Sequence, residues 1–132
     1  IYQTDSNVYY FSYPNYSTKE ISNGTHIPDS NMSLKLWPAA LIMGQSSRFG
    51  TEWNMNDGVV NTISMKYPIN LKNQEAPNKG FDSENIEKGV WQVMDLIHYD
   101  HSEIIGHSLL GMNHDELKSF FLTICNRLSN LD

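Results

Sequence analysis

The last twenty residues constrain this chain more than any other segment, because they make a helix that needs something to lie on. Asn113 and Glu116 stand in capping-box spacing, and Leu117, Phe120, Phe121, Ile124, Leu128 and Leu131 then fall on one helical face. Such a stripe is stable only when another layer covers it. Cys125 lies within it and is expected to be a buried thiol. The rest of the chain offers little cover. Val8 to Tyr13 reads as a short buried strand ended by Pro14 and Asn15, and Gly89 to Met94 as a second strand. Met32 to Met43 reads as a mostly buried helix that Pro38 should kink or divide. The polar stretch Asn15 to Asn31, broken by Gly24 and Pro28, reads as a long excursion rather than sheet, and Asn70 to Glu87 as a second loop. Two strands, a broken helix and one amphipathic helix make an incomplete layer structure, as expected of a piece of a larger fold.

Several function classes drop out on composition. The net charge is -6, with 9 basic residues scattered among 15 acidic ones, and no basic stripe with interleaved aromatics is present to neutralise phosphates. Nucleic acid is therefore not an expected partner. The longest nearly unbroken apolar stretch, Leu36 to Gly44, is far short of the roughly 20 residues that span a bilayer, so no transmembrane helix is expected. Ile1 to Asn7 has neither an initiator methionine nor a signal-peptide pattern, so the true start is expected to be processed or missing. One cysteine excludes an internal disulfide. Asn-x-Ser/Thr triplets start at Asn15, Asn23 and Asn31; they fit glycosylation acceptors, or chance in an Asn- and Ser-rich stretch.

Chemistry points to one ordered pair. Asp57 lies in an Asn-Asp-Gly turn whose aspartate can bond the amides that follow it, and His101 lies in a loop before the final helix. On the residues alone, that pair fits the late acid and histidine of a hydrolase triad, or simply a turn aspartate and a surface histidine. His98, His107 and His114 with Asp100 lack the His-Glu-x-x-His or paired-cysteine spacing of a zinc site and read as solvated loop histidines. Trp37, Trp53 and Trp91 read as core and loop anchors.

Longer segments carry a resemblance. Trp53, Asn56-Asp57-Gly58-Val59-Val60-Asn61-Thr62 and Ser64-Met65 resemble the acid-bearing segment of the secreted staphylococcal and Bacillus-type true lipases. Lys88-Gly89-Val90-Trp91 and Asp100-His101-Ser102-Glu103-Ile104-Ile105-Gly106 resemble the histidine segment of that family, and Tyr9 to Tyr13 and Pro28 to Met32 fit the strand and loop before them. The resemblance implies an α/β fold, specifically the C-terminal portion of an α/β hydrolase with an incomplete sheet and flanking helices. It implies Asp57 and His101 as triad acid and base in a serine carboxylester hydrolase acting on triacylglycerols or other long-chain esters at a lipid surface. It implies an extracellular location and a nucleophile supplied by an upstream remainder of the chain, so that the 132 residues alone should be inactive.

Two local features complicate this picture. Gly106-His107-Ser108-Leu109-Leu110-Gly111 resembles a lipase serine elbow, but Leu110 stands where the strained turn needs a small residue, and Ser108 follows His101 instead of preceding it. The stretch after His101 also resembles a calcium-binding loop of the same lipases, with Glu103 and the backbone of Asn31 as oxygen donors. Ser108 stands where a second carboxylate is expected, which weakens a site for a cation that wants six to eight oxygens. The rival reading is a non-catalytic hydrolase remnant that pairs its sheet edge or helix face with another chain.

Overall fold

The computed structural model describes residues 4–45, 48–70, 72, 74–107 and 113–131. In chain order its elements are β1 (Tyr10–Ser12), β2 (Asn15–Tyr16), β3 (Thr18–Ser22), β4 (Thr25–Pro28), α1 (Trp37–Gly44), α2 (Thr62–Lys66), β5 (Asn78–Gly80), β6 (Trp91–Val93), β7 (Ile97–His98) and α3 (His114–Ser129). Short 3-10 turns cover Leu34–Leu36 and Thr51–Trp53.

The two apolar runs pair as parallel strands, β1 beside β6, with Tyr10 opposite Trp91 and Ser12 opposite Val93. Pro14 has no N–H and interrupts the ladder. Beyond it, β2 and β7 continue the same pairing, and the Met94 amide bonds Ser12 O and the Ile97 amide bonds Pro14 O across the gap. A third parallel strand, β5, lies on the other side of β6, within the stretch expected to be a plain loop. Asn78-Lys79-Gly80 has no apolar alternation to betray a strand. Its place is set by backbone bonds at its ends, Trp91 N to Pro77 O and Phe81 N to Val93 O, both 2.8 Å. Aromatic side chains meet in tilted contacts beside the strands, Tyr10 with Trp91 at 5.2 Å and Phe11 with Phe81 at 6.4 Å between centroids. Parallel strands joined by long crossovers are the signature of α/β architecture.

The polar stretch after β2 is not an irregular excursion. It forms an antiparallel hairpin, β3 against β4, with Thr18 opposite Pro28 and Ser22 opposite Thr25. Asn23 and Gly24 make its turn at φ of 47° and 74°. Both central residues of this two-residue turn need positive φ, which Asn-Gly adopts at least cost, so the pair is itself a strong hairpin signal. The alternation that would normally mark a strand is hidden because its buried positions are His26 and Pro28 rather than aliphatic residues.

The helix expected over Met32 to Met43 is shorter and more exposed. Pro38 opens α1 instead of dividing it, since in the first turn its missing N–H removes no helix bond. Apolar residues lie on all sides of this helix, and among the described elements its chief cover is β4, so Ala40 and Gly44 are buried while Ile42 stays 75% exposed. At Gly44 a Cβ would lie 2.1 Å from His26 O; glycine allows this approach of helix and strand.

The C-terminal helix forms where its pattern predicts, capped by Asn113, whose side chain accepts from the Asp115 and Glu116 amides while Glu116 answers through the Asn113 amide. It lies against the sheet through Phe120, edge-on to Tyr13, and through Arg127, whose guanidinium sits 4.4 Å from the Phe81 ring centre and bonds Tyr13 Oη. A groove of about 430 Å³ remains between them. No residue of α3 is buried, and Cys125, expected to be buried, is exposed. Its stripe is wider than the strip of sheet available to it, so Phe121, Leu122 and Leu128 remain in contact with solvent. Among the described residues the buried apolar side chains are small or few, Met32, Ala40 and Ala76. The buried polar ones include Asn15, Asn56, Asp57, Gln92, Asp100 and Glu103. What is solvent-excluded in this chain is chiefly a hydrogen-bonded network, and that network surrounds the histidine loop.

Candidate active site

Asp57 is held by its own turn. Its Oδ1 accepts the amides of Val59 and Val60 at 2.9 and 2.7 Å, and Asn56 makes the same kind of turn one residue earlier by accepting the Gly58 amide at 2.9 Å. Asparagine and aspartate bonding the backbone two residues ahead is why this tripeptide makes a tight loop. Asn56 is fully buried and also donates to Ala40 O and Asn54 O, so the loop is anchored to α1. The hairpin holds the opposite side. The Ser17 amide donates to Asn56 O at 2.9 Å, Thr18 Oγ1 accepts the Asn56 amide at 3.2 Å, Asn54 Nδ2 donates to Gly24 O, and Thr62 Oγ1 donates to Asn15 O. His26 stands behind Thr18 at 3.2 Å; burial holds its imidazole below the usual range, with Glu20 opposing.

His101 meets this acid twice. Its amide donates to Asp57 O at 3.0 Å and its Nδ1 lies 2.8 Å from Asp57 Oδ2. An ionised carboxylate can only accept, so Nδ1 carries the hydrogen of this bond, and in the neutral tautomer Nε2 is the nitrogen with the free lone pair. The carboxylate is 1% exposed and the imidazole 42%. Asn15 Nδ2 donates to the same Oδ2 at 3.3 Å and reaches Tyr99 O at 3.4 Å, which joins the acid to the residues leading into the histidine.

The histidine turn is closed at both ends. Asp100 Oδ1 accepts the amides of Ser102 and Glu103 and the Ser102 hydroxyl, and Glu103 Oε2 accepts the Asp100 amide at 2.6 Å, a reciprocal capping box on a single helical turn. At the far end the His107 amide bonds Ser102 O and the Gly106 amide bonds Glu103 O, with Gly106 at φ 78°, the pattern that ends a helix. Burial, with the Asp100 carboxylate adding to it, pushes the Glu103 carboxyl up, against the Asp100 amide bond that lowers it.

The structure brings Asp57 and His101 together; the two donors named for calcium lie in the histidine turn and in the turn before Ser33. Glu103 is turned inward to cap its own turn, and Asn31 is exposed in the turn before Ser33. Among the described residues no group of three or more His, Cys, Asp or Glu side chains is gathered for a metal. Ser108 lies outside the described residues. His98, read as a solvated histidine, stacks on Tyr16 at 4.8 Å and pairs with Asp29 at 3.1 Å. Sequence reasoning missed Asn15, Asn56 and Asp100 as site residues. Asp100-x-x-Glu103 has visible capping-box spacing, whereas Asn15 stood out only as a glycosylation triplet, a role its burial at 4% exposure rules out.

Comparison with known proteins identifies relatives of this chain. A family model described as "Lipase-like, C-terminal domain" matches residues 2–132. A lipase of Staphylococcus hyicus is 30% identical over 133 residues, covering 98% of this chain and 20% of the relative, and a lipase of Staphylococcus epidermidis is 33% identical over 118 residues, 87% of this chain and 16% of the relative. Among solved structures, Staphylococcus hyicus lipase matches with a TM-score of 0.83 at 31% identity, over 96% of this chain and 32% of that one. EstA from Clostridium botulinum matches with a TM-score of 0.82 at 29% identity, over 98% and 30%. The chain thus spans about a fifth of the length of the curated relatives and about a third of the solved ones. No helix among the described residues is long and apolar enough to cross a membrane. With a family model covering all but its first residue, a fold shared with solved lipases and a paired acid and histidine, the chain belongs to the lipase-like C-terminal domain family.

Proposed function

We propose that this chain supplies the acid and the base of a serine carboxylester hydrolase that cleaves long-chain esters, triacylglycerols among them, at a lipid surface. The observation that carries the reading is the 2.8 Å contact between the buried Asp57 carboxylate and Nδ1 of the half-exposed His101. In the neutral imidazole it selects the tautomer whose Nε2 can accept a proton, the requirement for a general base. On this reading the serine and the oxyanion donors are supplied by an upstream part of the same protein. In the reaction, Nε2 takes the serine proton as the serine oxygen attacks the ester carbonyl carbon. The tetrahedral adduct then expels the alcohol, which leaves with that proton, and water repeats the sequence on the acyl-serine. Asp57 keeps the imidazole in the correct tautomer and balances its transient positive charge. The same reading places the protein outside the cell.

In the full-length protein, His101→Ala should lower ester hydrolysis about 10⁴-fold or more while leaving the thermal melt cooperative. Retained hydrolysis would remove His101 from the mechanism. A second reading, a non-catalytic remnant that docks on another chain, draws on the exposed Phe121, Leu122 and Leu128. On the first reading the remainder of the polypeptide covers them. A serine-directed fluorophosphonate decides between the two, since only an enzyme is labelled.

A further inference from the structure

Resting on the catalytic reading of Asp57 and His101, we propose that Asp100 is a positioning residue for the base, a buried carboxylate that locks the histidine turn to the segment at Ser33. Asp100 is 0% exposed, and an uncompensated charge there would be prohibitive. It is compensated in full. Oδ1 takes the Ser102 amide at 2.8 Å, the Ser102 hydroxyl at 2.6 Å and the Glu103 amide at 2.9 Å, while Oδ2 takes the Ser33 amide at 2.7 Å. Three of these donors belong to the turn that begins with His101. The fourth comes from 67 residues earlier in the chain and ties that turn to the end of the hairpin segment. Because such charge-assisted bonds are roughly twice as strong as neutral ones, Asp100 is a rigid pin and not a surface contact.

The location of the pin matters for chemistry. His101 is held on one side by Asp57, through its amide and its ring, and on the other by the residue directly before it in sequence. Asp100 does not touch the imidazole. It sets the backbone from which the ring projects, and a displacement of about 1 Å in a catalytic group is enough to cost on the order of 10²-fold in rate. Glu103 completes the arrangement by returning a bond to the Asp100 amide at 2.6 Å. Its carboxylate is directed into the turn's own cap. This gives the histidine loop a hydrogen-bonded closure made from the chain's own groups.

Asp100→Asn isolates the pin from the cap. A single amide oxygen can still accept the Ser102 and Glu103 amides, as asparagine does at helix starts, but the NH₂ then faces the Ser33 amide, donor against donor. The experiment compares the full-length wild type with Asp100→Asn on a soluble short-chain nitrophenyl ester, with active sites counted by fluorophosphonate titration. The expected result is a kcat per titrated site lowered about ten- to a hundredfold, a KM within about twofold, and a melt that stays cooperative. An unchanged kcat per site with fewer titratable sites would reduce Asp100 to a folding role and overturn the proposal. The far-downfield proton resonance of the His101 Nδ1–H gives an activity-independent reading. It should be sharp in the wild type and broadened or shifted in Asp100→Asn; no change would overturn the proposal even if the protein cleaved no ester. Failure of the catalytic reading is recognised separately, by a wild type that the fluorophosphonate does not label.

Discussion

The histidine loop and the C-terminal helix are put together by opposite means. The helix is locally complete, with its charge pattern and its period supplied by sixteen consecutive residues and its cap by Asn113 just before them, yet none of its side chains is buried. The histidine loop has almost no regular structure, yet Asp57 and Asp100 are fully buried and every one of their carboxylate oxygens accepts at least one hydrogen bond. In the helix, local sequence determines the conformation and the surroundings determine the stability. At the site, short local turns shape each loop, and bonds between residues far apart in sequence hold the loops to one another. Asn15 to Asp57 spans 42 residues and Ser33 to Asp100 spans 67.

If this contrast is real, the most damaging change outside the catalytic pair should be a polar one. Asn56 is fully buried and bonds Ala40 O, Asn54 O and the Gly58 amide. Asn56→Ala leaves those groups unpaired and should cost about 3 kcal/mol or more in chemical denaturation of the full-length protein, with activity falling as the Asp57 turn loosens. A cost within about 0.5 kcal/mol, the range of surface substitutions, would mean that the network is decorative.

Acid should attack the same region through the hairpin. His26 is buried beside Thr18 and its pKa lies below the usual imidazole value, so the unfolded chain binds the proton more readily than the folded one. Stability from this group is therefore complete above the usual imidazole pKa and is lost as pH falls through it toward the lowered folded value. Between pH 7 and pH 5 the melting temperature of the wild type should fall more steeply than that of His26→Gln. Parallel curves would separate His26 from the acid sensitivity of the fold.

These cases also indicate what could be read in advance. The strands at Tyr10 and Trp91 and the helix after Asn113 were legible because burial or local bonding leaves a period in the sequence. The hairpin was missed because its inward residues are histidine and proline, although its Asn-Gly turn was in plain view. At β5 nothing local distinguishes a strand, and only the neighbouring β6 makes one. Asp57 and His101 could be named from their segments, but the partners that fix them could not. A side chain that bonds a backbone group 42 or 67 residues away leaves no periodic trace.

On the helical side of the comparison the effects should be smaller and local. Asn113→Ala removes a side chain that caps two amides and should cost about 1 kcal/mol, with no change in hydrolysis per active site. A fall in hydrolysis per site would show that α3 is coupled to the loop at His101.

Two adjacent phenylalanines then test how much cover the helix has. Phe120 lies edge-on to Tyr13 at 5.6 Å, whereas Phe121 is 48% exposed. Judged by the contacts of this chain alone, Phe120→Ala should cost about 2 kcal/mol and Phe121→Gln less than about 0.5 kcal/mol. Both are to be measured by denaturation of the full-length protein, where the difference becomes informative. Equal losses at the two positions would mean that residues beyond these 132 lie on the outer face of α3. The helix would then resemble the histidine loop after all, as an element completed by distant parts of the chain. A loss confined to Phe120 would instead leave the sheet of this chain as the whole of its support, and the exposed stripe of Phe121, Leu122 and Leu128 as true surface.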